Sequence, residues 1–128
     1  MPKLPKQPEP QNPAAIRRAW ADEHTAARQA RADDDPIGEL HHLERAHILS
    51  QPFVVRHIRT HVAMLGFGIR HRDRRQVTGQ LLRLLVAGPG SAMRRYPLGN
   101  TGGAYVSAVV PMDIPADLRV LLAPAGAS

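Results

Sequence analysis

Apolar positions recur at steps of three and four along four stretches of this chain, and proline, glycine or acidic residues mark where each stretch begins or ends. That period is the signature of helices with one buried face. Asn12-Pro13 reads as an N-cap and first helical residue, predicting a helix over about 13–32 with Ile16, Trp20, Glu23, Ala27 and Ala30 on one stripe. Asp33-Asp34-Asp35-Pro36 stops it and opens a second helix, from about Pro36 to Leu49, with acids at its positive end. At about 100° per residue, Ile37, Leu40, His41, Glu44, His47 and Ile48 share the inward face of that helix.

Ser50-Gln51-Pro52 breaks the pattern, and a third helix is expected from about Pro52 to Leu65. Val54, His57, Ile58, His61 and Leu65 form its inner face, Arg56, Arg59 and Thr60 point away, and Gly66 and Gly68 end or loosen it. The fourth helix should cover about 72–87, with Val77, Leu81, Leu84 and Leu85 inside and Asp73 and Gln80 at the margin. Gly88-Pro89-Gly90 reads as its stop, and both this segment and Gly99–Gly103 read as turns. Ala104–Val110 has strand-like composition without an evident partner strand, so 89–115 is expected to be an ordered arm across the helices. A short helix over about 116–122 follows. The expectation is therefore an all-α fold: a four-helix antiparallel bundle, or an array of helical hairpins, with an extended C-terminal arm.

Length and composition narrow the picture. At 128 residues one domain is expected, over 13–122, with a proline-rich disordered arm at 1–12 and a frayed tail at 123–128. Aromatics are few, so leucine, valine, isoleucine and alanine must build the core. The absence of cysteine removes disulfides, cysteine–zinc sites, iron–sulfur clusters and thiol nucleophiles, and fits a cytoplasmic location. No apolar run approaches the ~20 residues of a membrane span. The net charge of +6 is almost all arginine, Lys3 and Lys6 being the only lysines. No aromatic interleaving or nucleic-acid motif accompanies it, so nucleic acid is disfavoured as a partner, while a protein partner stays open.

Against this background two short stretches put polar side chains on apolar faces. Glu44 and His47 form an E-x-x-H step, and His57 and His61 an H-x-x-x-H step. Each pair lies one turn apart on its helix, and the Gln51-Pro52 break makes the two helices neighbours. A lone buried carboxylate is expensive unless it is paired, protonated or bound to metal. Helix bundles build carboxylate–histidine metal sites from such pairs. The candidate ligands are Glu44, His47, His57 and His61, with Glu23 a carboxylate from the first helix; Gln80 and Asp73 could orient the imidazoles from behind. His42 is expected to face solvent. Imidazole and carboxylate suit Fe, Zn, Cu, Ni or Mn without choosing among them. His57 is not followed by the glutamate of a zinc-protease motif. Three function classes remain open: a transition-metal-binding protein of metal homeostasis or handling, a mono- or dinuclear metalloenzyme of oxidative or hydrolytic type, and a metal-free interaction module.

The strings LERAHILSQ, HIRTHVAML, VTGQLLRL, YPLGNTGGAYVSAV and PMDIPADL resemble a small bacterial family known as a domain of unknown function, over about residues 14–122. The resemblance implies the helical core and no particular activity. Glu44, His47, Gln51, His57, His61, Gln80 and Asn100 fall inside the matching strings. Relatives appear with an acid before Val77 where this chain has Gln76, which weakens any role for position 76 as a ligand.

Overall fold

A computed structural model describes residues 4–105 and 111–124. The helices are α1 (Pro13–Ala32), α2 (Pro36–Ser50), α3 (Val54–Arg70), α4 (Arg74–Ala92) and α5 (Ala116–Leu121). There is no strand among the described residues. Two isolated antiparallel bridges, Lys6 with Arg95 and Pro10 with Pro124, hold the N-terminal arm against the end of α4 and the C-terminal segment. Of the strand-like stretch at 104–110, residues 106–110 lie outside the described residues.

Local chemistry explains the helix boundaries. Asn12, Asp35 and Asp73 each accept a backbone N–H three residues on, capping α1, α2 and α4. Proline occupies the first turn of α1 and α2, where its missing N–H costs nothing. α3 runs past Gly66 and Gly68 to Arg70. Gly68 instead lets α4 approach: a β-carbon there would lie 2.9 Å from Cγ of Gln76 and 3.3 Å from Cγ2 of Val77.

The helices pair as two hairpins, α1 with α2 and α3 with α4, joined through α2 and α3. Ile16, Trp20, Ala46, Ile48, Leu49 and Leu118 form one buried cluster, so α5 closes the α1–α2 end. Ala27, Leu43, Met64 and Phe67 form a second, between α1, α2 and α3. Trp20 Nε1 donates to Thr60 Oγ1 at 2.9 Å and ties α1 to α3. Thr60 is therefore buried rather than outward-facing, a polar residue that helical periodicity alone assigns to the surface.

Two other faces also differ from the periodic reading. On α2 the buried residues are Glu39, Leu43, Ala46, His47, Ile48, Leu49 and Ser50, while Ile37 is 84% exposed and His41 lies in solvent. The rotation has a partner behind it, since the buried Glu39 carboxylate takes both terminal nitrogens of Arg70, at 3.0 and 2.6 Å. On α4, Gln76, Gln80 and Ser91 are buried, and Leu81 and Leu85 are exposed. α4 continues through Pro89 to Ala92 instead of stopping at Gly88-Pro89-Gly90. Pro89 removes one helical hydrogen bond, to Leu85, on a side of α4 where both residues are exposed.

Candidate metal centre

α2 delivers His47, and α3 delivers His57 and His61 from adjacent turns. All three imidazoles are buried. Their Nε2 atoms form a triangle with sides of 3.0 Å (His57–His47), 3.1 Å (His47–His61) and 3.2 Å (His61–His57).

The other ring nitrogen of each histidine meets an acceptor. His47 Nδ1 lies 2.6 Å from the carbonyl oxygen of Asn100. His61 Nδ1 lies 2.6 Å from Gln80 Oε1, while the Gln80 amide nitrogen donates to the Gly102 carbonyl at 2.8 Å. His57 Nδ1 lies 2.6 Å from Ser91 Oγ, whose own proton goes to the Gln51 carbonyl at 2.7 Å. A carbonyl, an amide oxygen and a committed hydroxyl can only accept, so each histidine carries its proton on Nδ1. Three Nε2 lone pairs therefore face one another.

Protonation offers little relief. Burial, with contributions from His57, His61 and Arg83, pushes His47 well below the usual imidazole range. Burial lowers His61 to about 4, with Arg83 adding to the shift and Gln80 opposing it. Three unprotonated imidazole nitrogens at this separation repel unless a cation lies among them. Metal–nitrogen bonds of 2.0–2.1 Å in a tetrahedral site set ligand nitrogens about 3.3 Å apart. The triangle is close to that spacing, and each Nδ1–H partner is the second contact that metal-binding histidines commonly make.

Residues 97–104 form a roof held by three glutamines. Gln51 donates to the Pro97 carbonyl at 2.8 Å and accepts from Gly99 N–H at 3.0 Å. Gln76 accepts from Ala104 N–H at 2.9 Å, and Gln80 holds Gly102. Asn100 Oδ1 accepts the Gly102 N–H at 2.9 Å. Gly102 has φ of +78°, and a β-carbon on it would lie 2.5–2.7 Å from the His47 ring. Only glycine allows both that backbone conformation and that approach.

The structure brings His47, His57, His61 and Gln80 together. Among the described residues these three histidines form the one group of three or more potential ligands with atoms within 4.8 Å of one another. Glu44 is half-buried one turn before His47. Its carboxylate lies 4.0 Å from where a β-carbon on Gly103 would be, and burial raises its pKa. Glu23 is engaged elsewhere: it accepts from Arg45 Nε and His42 Nδ1, both at 2.7 Å, so His42, its side chain 33% exposed, has a partner at the surface. Asp73 caps α4 through Oδ1 and accepts from the Tyr105 hydroxyl through Oδ2 at 2.6 Å. Ser91 and Asn100 are the residues that periodicity misses. Their signal was present only as polar residues within glycine-rich strings.

Fold and site together define a helical protein with a buried three-histidine cluster able to hold a metal ion. The family model described as "Protein of unknown function (DUF3703)" matches residues 14–122, and the chain belongs to that family. No curated protein and no solved structure matches it. No helix among the described residues is long and apolar enough to cross a membrane.

Proposed function

We propose that this protein binds a transition-metal ion through Nε2 of His47, His57 and His61, and serves metal homeostasis or handling in the cytoplasm. The observation behind this reading is the convergence of three lone pairs whose tautomers are held from behind by Asn100, Gln80 and Ser91. Rigid helices pre-place the ligands, which lowers the ordering cost of binding. Fe, Zn, Cu, Ni and Mn all accept imidazole, and carboxylate is available in Glu44 as a further ligand. Glu23 could contribute only by leaving Arg45.

A second reading, a metalloenzyme, draws on the count of histidines. Three neutral ligands and one open position form the donor set that activates water at catalytic zinc. Glu44, its pKa raised by burial, would be the group to exchange a proton with such a water.

Elemental analysis of the purified protein, repeated after chelation and reloading, tests the binding reading. The expected result is stoichiometric metal in the wild type, loss in His57→Ala and His61→Ala, and weakened retention in Glu44→Ala. Protein that carries no metal, takes up none and melts identically in chelator would overturn the binding and catalytic readings together, leaving a metal-free interaction module.

A further inference from the structure

α3 carries a second stripe, away from its histidines. Val55, Ile58, Val62, Leu65 and Ile69 succeed one another at steps of three, four, three and four. This is the spacing of a coiled-coil seam, with β-branched residues at every first position. A helix in a monomeric bundle has no need of it on its outer side. Yet Val55, Val62 and Ile69 are exposed, Val62 by 52%, while Ile58 and Leu65 are half-buried.

The stripe is flanked on both sides. On one side is α4. Val77 packs near Gly68, and Leu81 and Leu85 continue the same i, i+4 row outward from it. Leu85 is 75% exposed. Exposed apolar side chains thus stand on both helices of the packed α3–α4 hairpin, more than single scattered side chains would supply. On the other side a groove between α1 and α3 is lined by Trp20, His24, Arg28, Arg59, Val62 and Ala63, among others. Arg59 rests over the Trp20 ring, and Arg28 donates to Thr25. Neither arginine pairs with a carboxylate among the described residues.

Charge selects the occupant. α3 and α4 contain no aspartate or glutamate, and the only acid between Glu44 and Asp113 is Asp73, already bound at the α4 cap and by Tyr105. A second copy of this chain would bring two arginine-rich hairpins face to face. A flat anionic lipid surface would touch Val55, Val62 and Ile69 but leave the recessed Ile58 and Leu65 unmatched. We propose that this face docks an acidic amphipathic helix of another protein. Its apolar stripe would lie along the α3 seam beside Leu81 and Leu85, and carboxylates on one flank would meet Arg28 and Arg59. This inference is independent of metal binding, since the face and the histidine cluster lie on different sides of α3.

The test uses the full-length protein and a labelled synthetic helix of three heptads, with leucine at the seam positions and glutamate beside them. Fluorescence anisotropy should show saturable binding that weakens with salt. Val62→Asp and Leu85→Glu should each weaken it by about tenfold or more. Arg28→Ala/Arg59→Ala should weaken it and flatten its salt dependence. Circular dichroism confirms that the variants fold, and two apolar sites on different helices keep the test decisive if one variant does not. Several outcomes would overturn the proposal: no binding, equal binding of the same peptide with lysine for glutamate, or a concentration-dependent dimer abolished by Val62→Asp. Binding to phosphatidylserine vesicles, lost in Val62→Asp, without binding to the acidic peptide would overturn it too.

Discussion

Ser91 Oγ accepts a hydrogen bond from His57 Nδ1–H at 2.6 Å and donates one to the carbonyl of Gln51 at 2.7 Å. One hydroxyl from the last turn of α4 thus sets the tautomer of a histidine on α3 and satisfies a backbone carbonyl at the end of α2. Ser91→Ala removes both contacts without adding volume. Metal affinity should fall by about 10–100-fold, the usual effect of losing the group behind a ligating histidine. Stability should fall by about 1–3 kcal/mol for the unpaired buried groups. Competition titration against a chromophoric chelator reads the first, and urea denaturation the second. Unchanged affinity would mean that His57 does not need this tautomer for binding.

Gly102 predicts a different failure. Alanine there must hold a positive φ and push a methyl into the His47 ring. Backbone strain of this kind costs about 1–3 kcal/mol, and overpacking adds a similar amount. The easiest escape is for the roof to lift, which breaks the contact between Asn100 and His47. Gly102→Ala should therefore melt lower and bind metal more weakly, while alanine at Gly66, where an added β-carbon would meet nothing within 4 Å, should leave binding intact. Melting curves with and without added metal distinguish the two variants.

Acid should destabilise the metal-free protein over a defined window. His61 titrates at about 4 in the folded chain and near 6.5 when unfolded, and His47 is depressed in the same direction. Below the unfolded value the unfolded chain binds more protons than the native one, so stability falls as pH drops from about 6.5 towards 4. Above about 7 neither state protonates these rings and the effect is absent. His24, also lowered to about 4 by burial, acts in the same sense. For His61 alone the loss is on the order of 3 kcal/mol across the window. Bound metal must also be displaced by protons, so the loaded protein should release it over the acidic range. Urea midpoints measured at several pH values check the apo curve, and His61→Ala should flatten it.

The histidines were legible because an i, i+4 pair stays on one face whatever the exact helix phase. The rest of the face was less secure. Periodicity put Ile37 inside and left Glu39 out, since it knows nothing of Arg70 arriving from α3 to satisfy the carboxylate. It assigned Leu81 and Leu85 to the core and Gln80 to its margin. The roof reverses this, because its peptide groups at Gly99, Gly102 and Ala104 need partners that glutamine supplies and leucine cannot. Ser91 was hidden behind Pro89, which reads as a helix stop when only backbone propensity is weighed. Asn100 contributes a backbone carbonyl to His47, an interaction no residue type announces. The three histidines are local features of sequence, whereas the groups that aim them come from distant segments.

The pair of Glu39 and Arg70 allows a last prediction in which the two partners are unequal. The Glu39 side chain is 6% exposed and the Arg70 side chain 29%, at the end of α3. Removing the carboxylate leaves an arginine that can swing into water; removing the arginine leaves a carboxylate that cannot. Arg70→Ala should therefore be the more damaging change, approaching the roughly 3–5 kcal/mol of an uncompensated buried charge. Glu39→Ala should cost less, and the double variant should resemble Glu39→Ala more closely than Arg70→Ala. A double-mutant cycle by urea denaturation measures all three, and equal losses for the two single variants would refute the asymmetry.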